Sequence, residues 1–240
     1  MAYLQEGYYS DVPAAMAVPN ERLAFIRKTY SHLAMAVLAF IGIEYVIFST
    51  GSNVAIFQTI AGAGRAGWIA LMIGFVAVGF VAQKMARSQA SVTVQYLGLA
   101  LYVAFEALIF VPILSYAMHI DPKVIGQAGV LTGGLFAALS AVVLFTKADF
   151  SWMRTGLMVL GIVAMCTVIA GAIMGFSLGL WFSAAMIALA AGYIVYDTSN
   201  ILHHYPTSMY VAAALELFAS VALLFYYILR FALEMQGRRD

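Results

Sequence analysis

VQYLGLALYVAFEALIFVPILSYAM, residues 94–118, is a run of 25 residues with one formally charged side chain, Glu106. A helix needs about 20 predominantly apolar residues to cross the hydrocarbon core of a bilayer, so this run reads as a membrane-spanning helix. Six further apolar stretches meet or approach that length, at 32–50, 67–83, 124–146, 155–175, 178–199 and 209–233. Hydrophobic residues make up 64% of the chain and charged residues 10%. A water-soluble domain carries about 25% charge to cover its surface, so lipid must cover much of this one.

The expected fold is all-α, a polytopic integral membrane protein of seven transmembrane helices. Residues 1–29 read as a polar arm ending in Arg22, Arg27 and Lys28, residues 30–235 as the membrane domain, and 236–240 as a short charged tail. The arm lacks the basic start, apolar stretch and small-residue cleavage site of a secretory signal. Lys and Arg gather in the arm, in the second connection (Lys84, Arg87) and in the fourth (Lys147, Arg154), while the first and third connections hold only Arg65 and Lys123. Cytoplasmic loops carry that excess, which puts the amino terminus in the cytoplasm. Seven crossings then leave Arg238 and Arg239 outside, against the same rule. Short loops and the lack of a soluble domain favour a bacterial inner membrane. The expected partners are the lipid bilayer, cations and other membrane proteins, with no nucleic acid.

Gly129 and Gly133, Gly171 and Gly175, and Gly175 and Gly179 are spaced four apart, a spacing that lets helix backbones approach closely in lipid. Cys166 has no intrachain partner for a disulfide and reads as a small packing residue.

Four acids, Glu44, Glu106, Asp197 and Glu216, interrupt the apolar segments. A charge at the bilayer centre costs at least about 2.5–3.5 kcal/mol, so such acids usually face a bundle interior or a wet cavity. Enzyme chemistry is not indicated. There is no HExxH, no His/Cys cluster with zinc spacing and no glycine-rich phosphate loop. The four histidines, His32, His119, His203 and His204, lie at segment ends or in loops, and the last two segments contain no lysine for a retinal Schiff base. No cofactor is expected.

GYIVYDTSNI (192–201), FTKADFSW (145–152) and FEALIFVPI (105–113) together resemble the Bax-inhibitor family, the transmembrane Bax-inhibitor-motif proteins, from about Arg22 onward. The resemblance implies a seven-helix bundle with the last helix central. It also implies a pH-sensitive calcium leak and, in eukaryotic members, suppression of cell death. The family's proposed sensor is a pair of hydrogen-bonded aspartates, one in the YDT string and one in the last helix. The first falls on Asp197. The second does not carry over, because matching LLFYYILR (223–230) puts Ser220 at that place.

The nearest acid is Glu216, one helical turn earlier on the same face. Asp197 lies nine residues before Pro206 and Glu216 ten after it, so a turn at Pro206 brings both to a similar depth. Two close carboxyls in a low-dielectric site titrate as a coupled unit, and a cation entering there competes with the proton. With carbonyls and water they would form a weak, transient calcium site, suited to conduction. Each acid also has a plainer reading. Asp197 can be a helix-end residue bonded to Thr198 or backbone, and Glu216 can point to the interface. Glu106, six residues before Pro112, reads as lining an interior pathway, and Glu44 either packs polar groups or guides ions. Arg65, in AGAGRAG (61–67), is the candidate gating partner, which the resemblance implies pairs with an acid in a closed state, or else an interfacial arginine reaching water. Tyr193 and Tyr196 are candidate hydrogen-bond donors to Asp197, or interface anchors.

Two functions from different classes follow. One is a pH-sensitive cation leak channel gated by protonation of intramembrane carboxylates. The other is a non-conducting regulator that binds other membrane proteins.

Overall fold

The computed structural model describes residues 13–88 and 91–237; the first twelve residues of the arm, and Arg238 and Arg239 of the tail, lie outside them. Among the described residues the chain forms eight helices: α1 (Pro19–Ser49), α2 (Ser52–Gly62), α3 (Gly64–Ala86), α4 (Val92–Ile120), α5 (Lys123–Thr146), α6 (Met153–Met174), α7 (Gly179–His204) and α8 (Tyr210–Gln236). All but α2 are long and apolar enough to cross a membrane.

The apolar segments locate the helices but not their ends. α1 begins at Pro19, inside the stretch read as an arm, with Pro in its first turn and Glu21 near the helix start. Proline's fixed φ suits the first turn, and an acid there meets the positive end of the helix dipole. Residues 13 and 14 fold back on the α7–α8 turn, where the Ala14 N–H donates to the Tyr205 carbonyl at 2.9 Å. The extra helix α2 is 11 residues long and has no buried residue, so it is too short to stand out against a spanning length. Gly51 (φ +73°) starts it and Gly64 (φ +58°) starts α3, both in the left-handed region open to glycine.

α8 is the central helix. It packs against α1, α3, α4, α5 and α7, and 67% of its most apolar 18-residue window is buried, against 6% for α3. Ring contacts set the depth of its neighbours. Tyr102 of α4 meets Phe218 of α8 at 6.1 Å, and Phe110 stacks on Phe225 at 5.6 Å, so α4 and α8 run parallel. α7 runs antiparallel to α8, with Asp197 opposite Ser220 and Ser183 opposite Glu234.

Close backbone approach does not fall on the spaced glycine pairs. A Cβ added at Gly129, Gly133 or Gly179 meets nothing within 4 Å, and Gly175 is a left-handed helix cap. The tight crossing is at Gly98 of α4, where an added Cβ would sit 2.7 Å from the Ala82 carbonyl oxygen and 2.8 Å from the Ala86 nitrogen of α3. Spacing alone cannot find it, because the matching small residues are alanines on another helix.

Candidate functional site

The YDTSN string at the end of α7 spreads its side chains to three different neighbours. Asp197 accepts a hydrogen bond from Ser220 of α8. Thr198 lies 3.4 Å from Ser140 of α5. Ser199 holds the α5–α6 loop, accepting from the Phe150 N–H at 2.8 Å and donating to the Ala148 carbonyl at 3.3 Å. Two of the sequence stretches that stand out, 145–152 and 192–201, are therefore in direct contact. Within that loop Asp149 accepts from the Ser151 N–H at 2.9 Å and from its hydroxyl, and those bonds hold the exposed Asp149 carboxyl below the usual aspartate range.

Asp197 is 8% exposed. Its second candidate partner, Glu216, lies one turn from Ser220 on α8, near enough for its charge to act on Asp197. No hydrogen bond joins the two acids among the described residues. Glu216 instead forms an ion pair with Arg87, the residue that caps α3. The Glu216 side chain is 13% exposed and that of Arg87 52%, so the pair sits at the edge of the bundle rather than in its core. The Arg87 guanidinium lies 5.9 Å from the ring of Tyr205. Burial, and then the neighbouring Glu216 charge, raises the Tyr205 hydroxyl well above the usual tyrosine range, which keeps it neutral.

Arg65, the candidate gating partner, does not join these groups. Arg65 stands at the start of α3, next to Gly175 at the end of α6, and no ion pair to it is found among the described residues. Some 22 residues of helix, about 33 Å, separate it from Arg87. Arg87 was legible only as a charge that set orientation; the signal that could have singled it out is its position as the cation just beyond a spanning segment, with an acid in the last helix lacking a partner. Neither candidate tyrosine bonds Asp197 among the described residues. Tyr193 donates to the Leu157 carbonyl at 2.8 Å, and Tyr196 is half-buried with no hydrogen bond to Asp197.

Glu106 is buried beside Tyr102, one turn earlier on α4, and its Oε2 has no hydrogen-bond partner. The two ring contacts that bracket it on α4 bracket Ser220 on α8. Glu106, Ser220 and Asp197 thus occupy one layer, with Glu216 and Arg87 a turn nearer the basic end. Glu44 is buried elsewhere, on α1, with both carboxyl oxygens unpartnered. Among the described residues no group of three His, Cys, Asp or Glu side chains gathers to hold a metal. Asp197 and Glu216 offer at most a two-carboxyl site, and one of those carboxyls is engaged by arginine.

Away from this layer the α7–α8 interface is apolar. From Asp197–Ser220 to Ser183–Glu234 is 14 residues on each helix, about 21 Å, and Ala190, Ile194, Leu224 and Ile228 are buried between them. At the far end Glu234 accepts from Ser183 at 2.7 Å and pairs with Arg230 at 3.0 Å.

A helical bundle of this kind, with seven candidate spans and acids placed around a buried last helix, is a polytopic membrane protein. The chain belongs to the Bax-inhibitor family: the profile described as "Inhibitor of apoptosis-promoting Bax1" matches residues 22–239. It is 28% identical over 228 residues to Protein LIFEGUARD 4 of Arabidopsis thaliana, covering 93% of this chain and 90% of that one. It is 27% identical over 234 residues to the Golgi anti-apoptotic protein of Vaccinia virus (strain Lister), covering 94% and 91%. A membrane protein of Vibrio cholerae is 32% identical over 124 residues, covering 49% and 54%.

Proposed function

We propose that the protein is a pH-sensitive cation leak pathway of a bacterial inner membrane, with calcium among its permeant ions and with its amino terminus and basic end in the cytoplasm. The observation that carries this reading is the Arg87–Glu216 ion pair set one turn from the Asp197–Ser220 bond, at one end of the central helix. It forms a charged latch over a buried acid. In the latched state the apolar interface around Ile194 and Leu224 offers no polar groups to replace an ion's hydration shell. Release of Arg87 from Glu216 frees the α3 end to move from α8, with Asp197 as the sensor of this reading. Asp197 and Glu106 then provide carboxyl oxygens of the hard-donor type that calcium takes. The excess of Lys and Arg at the end bearing Arg87, Lys147 and Arg154 supports the orientation.

The test is ion flux into proteoliposomes across a pH series. The reading expects flux that rises as pH falls and is altered by Asp197→Asn; flux equal to that of empty liposomes at every pH would remove it.

A non-conducting regulator of other membrane proteins is the second reading. Its supporting observation is an apolar cleft of about 690 Å³ between α1 and α5, floored by α8 and lined by Val37, Ile41, Gly129, Gly133 and Phe225 among others. A partner's spanning helix could enter it laterally. Cross-linking from Gly133→Cys to another membrane protein, in a preparation with no flux, would favour this reading.

A further inference from the structure

Glu44 stands apart from the latch. It sits on α1 between Phe40 and Phe48, which pack against the apolar cluster of Phe110, Leu114 and Leu224. Phe40 meets Phe110 edge-on at 5.1 Å. Phe40 also meets Phe218 at 6.2 Å, between the Tyr102–Phe218 and Phe110–Phe225 contacts, so Glu44, one turn past Phe40, lies at least about 6 Å farther from the basic end than the Glu106–Ser220 layer. It is 7% exposed, and neither carboxyl oxygen has a hydrogen-bond partner.

α2, α4 and α8 pack on α1, and α5, whose one titratable side chain is Lys123 at its first position, reaches α1 where Phe136 meets Tyr30 at 6.1 Å. α2 carries no titratable side chain. α4 presents Tyr102 and Glu106, and α8 presents Tyr226 against Phe110 at 5.5 Å; none of these interacts electrostatically with Glu44. A carboxylate in an apolar interior with no cation and no donor is not sustained, and such a group takes up a positive charge instead. We propose that Glu44 is a proton-binding site in its own right, exchangeable and separate from the Arg87–Glu216–Asp197 set. The small size of the proton suits a single carboxyl without hydrogen-bond partners, whereas calcium takes six to eight oxygens.

Infrared difference spectroscopy of the protein in liposomes reads this directly. The wild type minus Glu44→Gln spectrum at neutral pH is expected to show the carbonyl stretch of a protonated carboxyl, shifted by deuteration and lost as pH rises. The band should survive in Glu216→Gln and Asp197→Asn backgrounds. Glu44→Asp, which moves the band rather than deleting it, keeps the assignment secure if Glu44→Gln folds poorly. A difference spectrum showing only carboxylate stretches at neutral pH would overturn the proposal. So would a protonated-carboxyl band that does not respond to pH, since that proton would not be exchangeable.

Discussion

Ser220 donates its hydroxyl hydrogen to the buried carboxyl of Asp197, while Glu216, one turn away on the same helix, is turned toward Arg87. Where the family resemblance expects an aspartate in the last helix, Ser220 makes the contact with Asp197, and the nearest acid, Glu216, stands one turn away.

Removing the contact should be costly. Ser220→Ala leaves a buried carboxyl oxygen without its donor, a change expected to cost about 1–3 kcal/mol. Thermal unfolding in detergent should show a lowered midpoint that Ser220→Thr largely restores. Ser220→Asp should instead create a coupled carboxyl pair with Asp197 and move the pH dependence of flux. An unchanged flux profile in Ser220→Asp would count against Asp197 as a sensor.

The Arg87–Glu216 pair should matter more for gating than for stability. With half of the arginine side chain in solvent, its contribution to folding is expected at about 0.2–1 kcal/mol. A double-mutant cycle of Arg87→Ala and Glu216→Gln should give small changes in unfolding midpoint but raised flux at neutral pH. The double variant should leak no more than either single one, because both break the same bond. Additive increases in flux would mean that the two residues act separately.

Packing between α3 and α4 should be intolerant at one glycine and tolerant at others. Gly98→Leu drives a side chain into the backbone of Ala82 and Ala86, with an expected loss of at least about 1–3 kcal/mol. Gly133→Leu points into open space and should leave the unfolding midpoint nearly unchanged. Equal effects at the two sites would contradict the crossing described.

Asp149 gives a pH dependence of known sign. Its carboxyl is held low by Ser151, so the stabilisation is present above the ordinary aspartate value, about 3.9, and is lost as pH falls through the lower folded value. Carbon-13 shifts of the Asp149 carboxyl should titrate at lower pH in the wild type than in Ser151→Ala. Coincident titrations would show that the turn does not hold the charge.

The seven spans were legible because each is a long apolar run, and lipid imposes that pattern regardless of tertiary packing. α2 was not, since 11 residues, none of them buried, leave no such imprint. Of the site, Asp197, Glu106 and Ser220 were legible from the motif stretches and from acids in apolar context, and Glu216 from its turn of helix. Arg87 was not, because an arginine at a helix end serves orientation, snorkelling or pairing equally well in sequence. The partner of Asp197 depended on the facing of α7 against α8. Residues 205–209 form a non-helical turn, so counting outward from Pro206 fixes depth without fixing which side chains meet.

The most direct measurement is calcium flux into proteoliposomes at acid and neutral pH for the wild type, Arg87→Glu, and Arg87→Glu combined with Glu216→Arg. A charged latch predicts a wild type that leaks mainly in acid, an Arg87→Glu variant that leaks at both pH values, and low neutral flux restored by the double reversal. Flux at the level of empty liposomes for all three proteins at both pH values would contradict the leak pathway.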